Sequence, residues 1–554
     1  MRRRSSVLVA ASLLLLAASV AAPAAERQTV CSITVNSDDE REAFKRNLPA
    51  ERFDFVELVE RGRPDWLGAA CRRGVKCDVL IVSGHFDDGS EFYSDRVDSH
   101  DRLPVAELER AVCAPGCAGL FAQLKEVYLF GCNTLNADAL RFASGQAVRS
   151  LVRAGYSAAD ADALARTLET RLGDSNRDRM RVVFKDTPVI YGFSSKAPLG
   201  VRAAPMLDRY FKSGGTADVG QGRSSAALLG VFAGASMKAA AGVTDTDPQA
   251  GHRADVCRFV DDAQQPAEKA RFLRALMRRD MAEIALYLDR IDSLTAALSG
   301  SSAPEGAGEA LAELAQDTDA RRRYLDMARD ADDLATAARM LGIAKRVGWL
   351  TDEALRSEYV AVIGRHAVRG AMTAADVDAV CTANARHELE TAAGAIDTHA
   401  AHADSIANAA VLACLGKTER RARALRGLTV EDERDAQAAQ VYVRHRPLQD
   451  AGEMRSVVAA IAGMRGGSPS QARALDALAV MRVADRDALA TLTELYPRTR
   501  SLDVQRAIAG VLIRADSRDL ADPQVLRMLR RHRLASPDGE DVIDVLIRRL
   551  QIAS

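Results

Sequence analysis

The sequence predicts an α/β region built on a mostly parallel sheet, followed by a larger all-α region. Between Gln28 and about Gly222, short apolar runs of β type alternate with amphipathic helical stretches, the rhythm of a parallel sheet covered by helices. Beyond Gly222 the strand-like runs stop, and helical segments of ~12 to 18 residues are separated by short Gly, Pro or Asp punctuation. Aromatic residues divide in the same way: 17 of Phe, Tyr and Trp fall in residues 25–222 and 9 in residues 223–554, where Ala, Leu, Arg and Asp dominate. The expected boundaries are a leader at 1–24, the α/β domain at 25–222, a linker or transition at 223–255 and a helical domain at 256–554.

At the start of the chain, Met1-Arg2-Arg3-Arg4 precedes an apolar run from Val7 to about Ala22, and Ala22-Pro23-Ala24 supplies the small-x-small pattern of a signal-peptidase site. The run is shorter than the ~20 apolar residues of a stable membrane-spanning helix. Cys31, after Gln28-Thr29-Val30, lacks the setting of a lipidated cysteine. The expectation is a cleaved signal peptide, a periplasmic or secreted protein and no membrane span. Loss of residues 1–24, with three arginines and no acid, takes the formal charge from −1 to −4. Seventy-five basic residues against 76 acidic ones provide no overall positive field for nucleic acid.

Strands are expected at 30–35, 53–59, 77–82, 126–130 and 188–193, helices at 38–48, 64–73, 103–124 and about 137–172, and a charged loop at 173–179. Cys77-Asp78-Val79-Leu80-Ile81-Val82 is apolar enough for a central strand buried on both faces. Toward the C-terminus, Gln471-Ala472-Arg473-Ala474-Leu475 is echoed 33 residues later by Val504-Gln505-Arg506-Ala507-Ile508, with a fainter copy upstream at 436–443. Stacked helical pairs similar to HEAT repeats and a non-repetitive bundle of Ala-rich helices both fit this pattern.

An exported chain keeps disulfides, so its nine cysteines are read for pairing first. Cys71 and Cys77 flank a turn-like segment, and Cys113 and Cys117 flank Ala114-Pro115-Gly116, so both are candidate local bridges. Zinc competes for these four, but spacers of five and three residues do not match the usual ligand knuckles. Cys381 and Cys414 lie in neighbouring helical stretches and are a third candidate pair, leaving Cys257 and Cys31 to each other or unpaired. Nine is odd, and the cysteine expected to stay free is Cys132.

Two apolar strands each end in a reactive residue. Val79-Leu80-Ile81-Val82-Ser83-Gly84-His85 carries a histidine just past one strand, and Val127-Tyr128-Leu129-Phe130-Gly131-Cys132 a cysteine just past the next. Neighbouring parallel strands deliver their C-terminal ends to the same edge, where ligands and catalytic groups gather. In this arrangement, with Ser83-Gly84-His85 and Gly131-Cys132-Asn133-Thr134 separated by 47 residues from His to Cys, the region resembles the caspase-like cysteine peptidases over about residues 28–222. The resemblance implies a three-layer α/β/α fold and an endopeptidase acting on a protein or peptide. In it Cys132 would be the nucleophile, His85 the assisting acid-base group, and the backbone N–H groups of Cys132 and Phe86 the oxyanion donors. That family usually has His-Gly, whereas Phe86 follows His85 here. Asp87, Asp88 and Glu91 would stand where a basic substrate side chain is received, and Tyr191 and Ser194 where the last strand lines the cleft. No cofactor or metal is required by that chemistry.

Other motifs carry less. Gly416-Lys417-Thr418 has Val411 in place of the first glycine of a phosphate loop, and Gly220-Gln221-Gly222 is followed by Ser225 in place of the third glycine of a dinucleotide site. Asp397, His399, His402 and Asp404 are more economically a solvated helix face than a metal site. The leading expectation is an exported peptidase or peptidase homologue with a helical protein-binding domain. The competing ones are an inactive exported scaffold whose helical array does the binding, and a periplasmic small-ligand binder using the sheet edge.

Overall fold

Eight strands form among the described residues: β1 Gln28–Thr34, β2 Phe53–Glu57, β3 Val79–Ser83, β4 Glu91–Tyr93, β5 Arg102–Pro104, β6 Glu126–Phe130, β7 Val189–Phe193 and β8 Met237–Ala240. The computed structural model describes residues 27–553 apart from 61–62, 64, 87–89, 96–100, 139–143, 173–174, 300–304, 371, 395, 397–404, 449, 482, 517–519, 521 and 537–538. Six strands make one sheet in the order β2-β1-β3-β6-β7-β8, and β4 pairs with β5 in a small antiparallel ribbon. All ladders of the main sheet are parallel except β7–β8.

Side chains alternate across the sheet and build a core on each face. Leu80, Val82, Val127 and Leu129 point to one side, where they meet Trp66 and Leu67 of helix Trp66–Arg72, Leu108 of Val105–Cys113 and Met180 of Asn176–Val183. Val79, Ile81, Tyr128 and Phe130 point to the other, against Phe44 of helix Asp39–Asn47 and Leu207, Tyr210 and Phe211 of Gly200–Lys212. Burial on both faces explains why β3, β6 and β7 read as unbroken apolar runs.

The chain divides into two compact units, one of residues 27–142 and 169–264 and one of 143–168 and 265–554. This departs from the sequence boundaries in two places. Residues 223–255, expected as a linker or transition, supply β8, whose register on β7 pairs Phe193 with Met237. Residues 143–168 cluster with the helical unit instead of the α/β unit. Two elements also differ. The stretch 103–124 is broken into β5, helix Val105–Cys113, a 3₁₀ turn Pro115–Cys117 and a short helix Ala118–Phe121, because Pro115 cannot continue the preceding helix. The charged loop at 173–179 instead enters helix Asn176–Val183, with the Ser175 side chain capping the Asp178 N–H.

Four disulfides form: Cys31–Cys77, Cys71–Cys117, Cys113–Cys257 and Cys381–Cys414. The last was expected, but the local pairs Cys71–Cys77 and Cys113–Cys117 do not form. Cys77 sits at the entry to β3 and is buried beside Cys31 of β1. Cys71, still in its helix, reaches the 3₁₀ turn at Cys117, and Cys113 ends a helix packed on Ala250–Val260, which holds Cys257. Cys132 is free, as expected. Such a set of bridges fits an oxidising compartment, secreted or periplasmic. No helix among the described residues is long and apolar enough to cross a membrane.

In the helical unit, Ala374–Ala383 packs on Glu433–His445, which packs on Pro469–Ala479, then Leu502–Leu512, then Val542–Ala553, while Ala451–Ala462 pairs with Arg486–Leu495 in a second row. The 33-residue echo falls on Pro469–Ala479 and Leu502–Leu512, which share a capping register: Ser468 accepts from Gln471 N–H and Ser501 from Val504 N–H.

Candidate active site

The sheet order places β1 between β2 and β3, so the chain leaves β1 in one direction, returns past it, and creates a switch point where the connections after β1 and β3 diverge. In open parallel sheets that crevice, at the carboxyl ends of the strands, is the usual ligand site. A small cleft of about 40 Å³ opens there. Its walls come from Asn36 and Ser37 after β1, Glu40 in the next helix, Ser83 to His85 at the end of β3, Gly131 and Cys132 after β6, and residues 197–200 after β7.

His85 and Cys132 therefore line the same cleft. The register pairs Ser83 with Phe130, so the two residues leave adjacent strands at nearly the same level. His85 is fixed by an antiparallel bridge to Tyr93, its N–H donating to Tyr93 O at 2.9 Å and its O accepting from Tyr93 N–H at 3.0 Å. Its Nε2 lies 3.1 Å from Asp95 Oδ2, within ion-pair distance but off the line a hydrogen bond needs, and is sealed from solvent with no hydrogen-bond partner. Cys132 is half-buried, and its Sγ accepts from the Ala197 N–H at 3.4 Å.

The turn after β6 is pinned to the end of β7. Asn133, at φ +59°, donates its N–H to Ser195 O at 2.8 Å, Leu135 N–H bonds Phe193 O at 2.9 Å, and Thr134 Oγ1 accepts from Phe193 N–H at 3.0 Å. Asparagine tolerates this left-handed backbone better than most residues. Helix Asn176–Val183 buttresses the same turn through Asn176 Nδ2 to Asn133 O at 3.1 Å. Gly131 is required by close approach, since a Cβ there would lie 2.8 Å from Phe86 Cβ and 3.0 Å from Gly84 O.

Glu40 was not singled out by the sequence. It follows Asp38 and Asp39 and looks like one more acid favouring a helix N-terminus. In the structure it is only 2% exposed and forms part of the cleft wall. Burial pushes its carboxyl up to about 7, helped by Asp39 and Asp38 and opposed by hydrogen bonds from its own backbone and Ser83. Among the described residues, no lysine or arginine lines the cleft. Hydrogen bonding points to the same protonation state. Ser83 Oγ lies 2.9 Å from Glu40 Oε2 and 3.0 Å from Ser37 O, and a carbonyl can only accept. The single Ser83 proton serves both contacts only when Glu40 is protonated: the acid O–H then donates to Ser83 Oγ, and the Ser83 O–H donates to Ser37 O.

The other sequence candidates fall elsewhere. Phe86 is fully buried against Phe92, with ring centroids 4.6 Å apart, and is not part of the cleft wall. Tyr191 faces the opposite core, stacked on Tyr128 at 4.9 Å, and its hydroxyl accepts from Ser225 N–H at 2.8 Å. The family resemblance put it at the cleft because the last strand lines the cleft there, but strand alternation turns its side chain to the other face. Ser194 is tied to Ser236 O through both its N–H and its Oγ, at 3.1 and 3.2 Å. Glu91 pairs with Arg102 at 2.9 Å in the β4–β5 ribbon. Asp87 and Asp88 lie outside the described residues, as do Asp397, His399, His402 and Asp404. Among the described residues no three metal-ligating side chains come together.

No protein-family model matches this chain, and neither a curated protein nor a solved structure matches it at a significant level.

Proposed function

We propose that the α/β unit is a caspase-like cysteine peptidase or peptidase homologue, exported through its N-terminal signal, with Cys132 and His85 as its dyad. One observation carries the reading: of nine cysteines, the one left out of a disulfide stands in the same sheet-edge cleft as a histidine whose Nε2 has no hydrogen bond. In the proposed reaction the Cys132 thiol gives its proton to the His85 imidazole. Sγ attacks the carbonyl carbon of a peptide bond, and the carbonyl oxygen takes up the charge beside the Cys132 N–H. The C–N bond breaks as His85 passes its proton to the leaving amine, and water then hydrolyses the thioester.

The helical unit, in this reading a HEAT-like stack, would present the protein-binding face that brings substrate or partner. Alkylation of the oxidised protein with iodoacetamide tests the dyad. Cys132 should be modified rapidly, and His85→Ala should slow that reaction at least about tenfold near pH 7. A Cys132 that resists alkylation, or reacts equally fast without His85, overturns the dyad. A dyad that alkylates but releases no peptide from unfolded protein substrates favours the inactive scaffold, to which the buried Phe86, in place of the family's glycine after the histidine, also points.

A further inference from the structure

The helical unit carries a groove of about 770 Å³ that the peptidase reading does not use. Its floor is one stripe of helix Asp352–Arg369. Ser357, Ala361, Gly364 and Val368 recur at the i, i+4, i+7, i+11 spacing of a single face. Ala392 and Ile396 close the far side. The stripe is apolar yet open, with Val368 48% exposed.

Gly364 leaves the floor low. A glycine inside an eighteen-residue helix is less favourable than alanine. Its own surroundings do not require it, since a Cβ would meet only Ile396 Cγ1 at 3.8 Å. What its missing side chain provides is depth.

Charge at the rim is unbalanced. Arg365 has a buried Nη2 with no hydrogen-bond partner. Burial, with Arg329 and Arg369 close by, pushes its guanidinium below the usual arginine range, opposed by Glu358 and Asp330. Both of those carboxylates are already engaged. Glu358 takes the Arg329 Nε–H at 2.8 Å, and Asp330 takes Arg149 at 2.8 Å, Arg153 at 2.9 Å and Arg369 at 3.4 Å. Among the described residues Arg365 is the cation of this cluster left without an acid of its own, and it lines the apolar trough.

We propose that this groove binds a straight-chain acyl carboxylate, with the chain lying along Val360, Ala361, Gly364 and Val368 and the carboxylate paired with Arg365. The size falls within the ~300–1,000 Å³ of small-molecule sites, and a carboxylate matches a guanidinium edge in charge and geometry. The site is independent of the Cys132 chemistry.

Calorimetric titration of the full oxidised chain with decanoate, decanol, decyltrimethylammonium and acetate tests it. One decanoate should bind per chain, at least about tenfold more tightly than decanol, as a charge-assisted hydrogen bond implies, with decyltrimethylammonium and acetate not bound. Arg365→Gln should reduce decanoate to the affinity of decanol. Gly364→Leu should fill the trough and abolish both without lowering the melting temperature. The proposal is overturned by absent decanoate binding, by equal binding of decanol or acetate, or by decanoate binding that survives both substitutions. A tetrapeptide ending in leucine bound in place of decanoate would make the groove a seat for a chain terminus, and would also overturn it.

Discussion

The helix ends of the helical unit and the sheet-edge cleft use their buried polar groups differently. At the helix ends, three buried amides are fully engaged. Asn384 Nδ2 bonds Cys414 O at 2.8 Å, Gln471 Nε2 bonds Ile461 O at 3.0 Å, and Gln505 bonds His532 O through Nε2 at 2.8 Å while accepting from Leu534 N–H at 2.9 Å. Each satisfies an orphan group left where a helix stops. At the sheet edge the polar groups keep capacity in reserve: His85 Nε2 has only the Asp95 carboxylate at 3.1 Å and no hydrogen bond, Glu40 is held as an acid without a cation, and Cys132 is in no disulfide. Fully spent buried polar groups specify a fold, and unspent ones in a cleft are available for chemistry.

The chain's two tryptophans fall one in each unit, Trp66 in the α/β unit and Trp349 in the helical one, and both are buried. Trp66→Phe and Trp349→Phe variants therefore give fluorescence probes for each unit separately. The largest effect should come from Cys113→Ser with Cys257→Ser. The bridge spans 144 residues, for which chain entropy gives about 5 kcal/mol as an upper figure. The Trp66 transition should move to lower denaturant while the Trp349 transition stays, and equal movement of both would break the contrast.

Glu40→Gln comes next. The folded carboxyl titrates at about 7 against an ordinary 4.5, so between these values the folded state holds the extra proton and stability falls as pH rises, levelling off above about 7. The total loss is at most about 3 kcal/mol. Glutamine should remove this slope, leaving the variant more stable than the parent at about pH 8 and nearly equal at about pH 4. A parent whose Trp66 midpoint shows no Glu40-dependent fall would show that the reserve at the cleft is ordinary surface charge.

Gln505→Ala should cost about 1–3 kcal/mol, read by Trp349, because it removes the partner of a part-buried carbonyl and N–H. The smallest effect belongs to the caps. Ser468→Ala and Ser501→Ala should each cost about 1 kcal/mol and add together. Strong non-additivity would mean that the two helices are coupled beyond a simple stack.

Much of the α/β unit was legible because its information is local. The runs at 77–82 and 126–130 are buried on both faces, so every residue carries signal, and each strand ends directly in a reactive residue. β8 was not legible. Met237-Lys238-Ala239-Ala240 is an edge strand with an exposed centre, and only its partner β7 makes it a strand. Tyr191 was placed at the cleft by a resemblance, and the apolar run around it marks a buried strand without saying which core each residue faces. Glu40 was invisible for the opposite reason: three consecutive acids at a helix start look alike until packing seals one of them. Disulfide partners depended on which secondary elements meet, which spacing along the chain does not encode.

The bridges of the α/β unit overlap like links of a chain: 31 to 77, 71 to 117, 113 to 257. No two cysteines adjacent in sequence are partners in it. A polypeptide crossing a membrane N-terminus first into an oxidising space would expose Cys31, Cys71, Cys77, Cys113, Cys117 and the unpaired Cys132 before Cys257 arrives. Pairing in order of emergence would join wrong partners and draw in the thiol meant to stay free. Where pairing follows that order, maturation of this unit needs disulfide exchange after residue 257 has emerged, and an export host without isomerase should then yield protein with Cys132 trapped in a bridge.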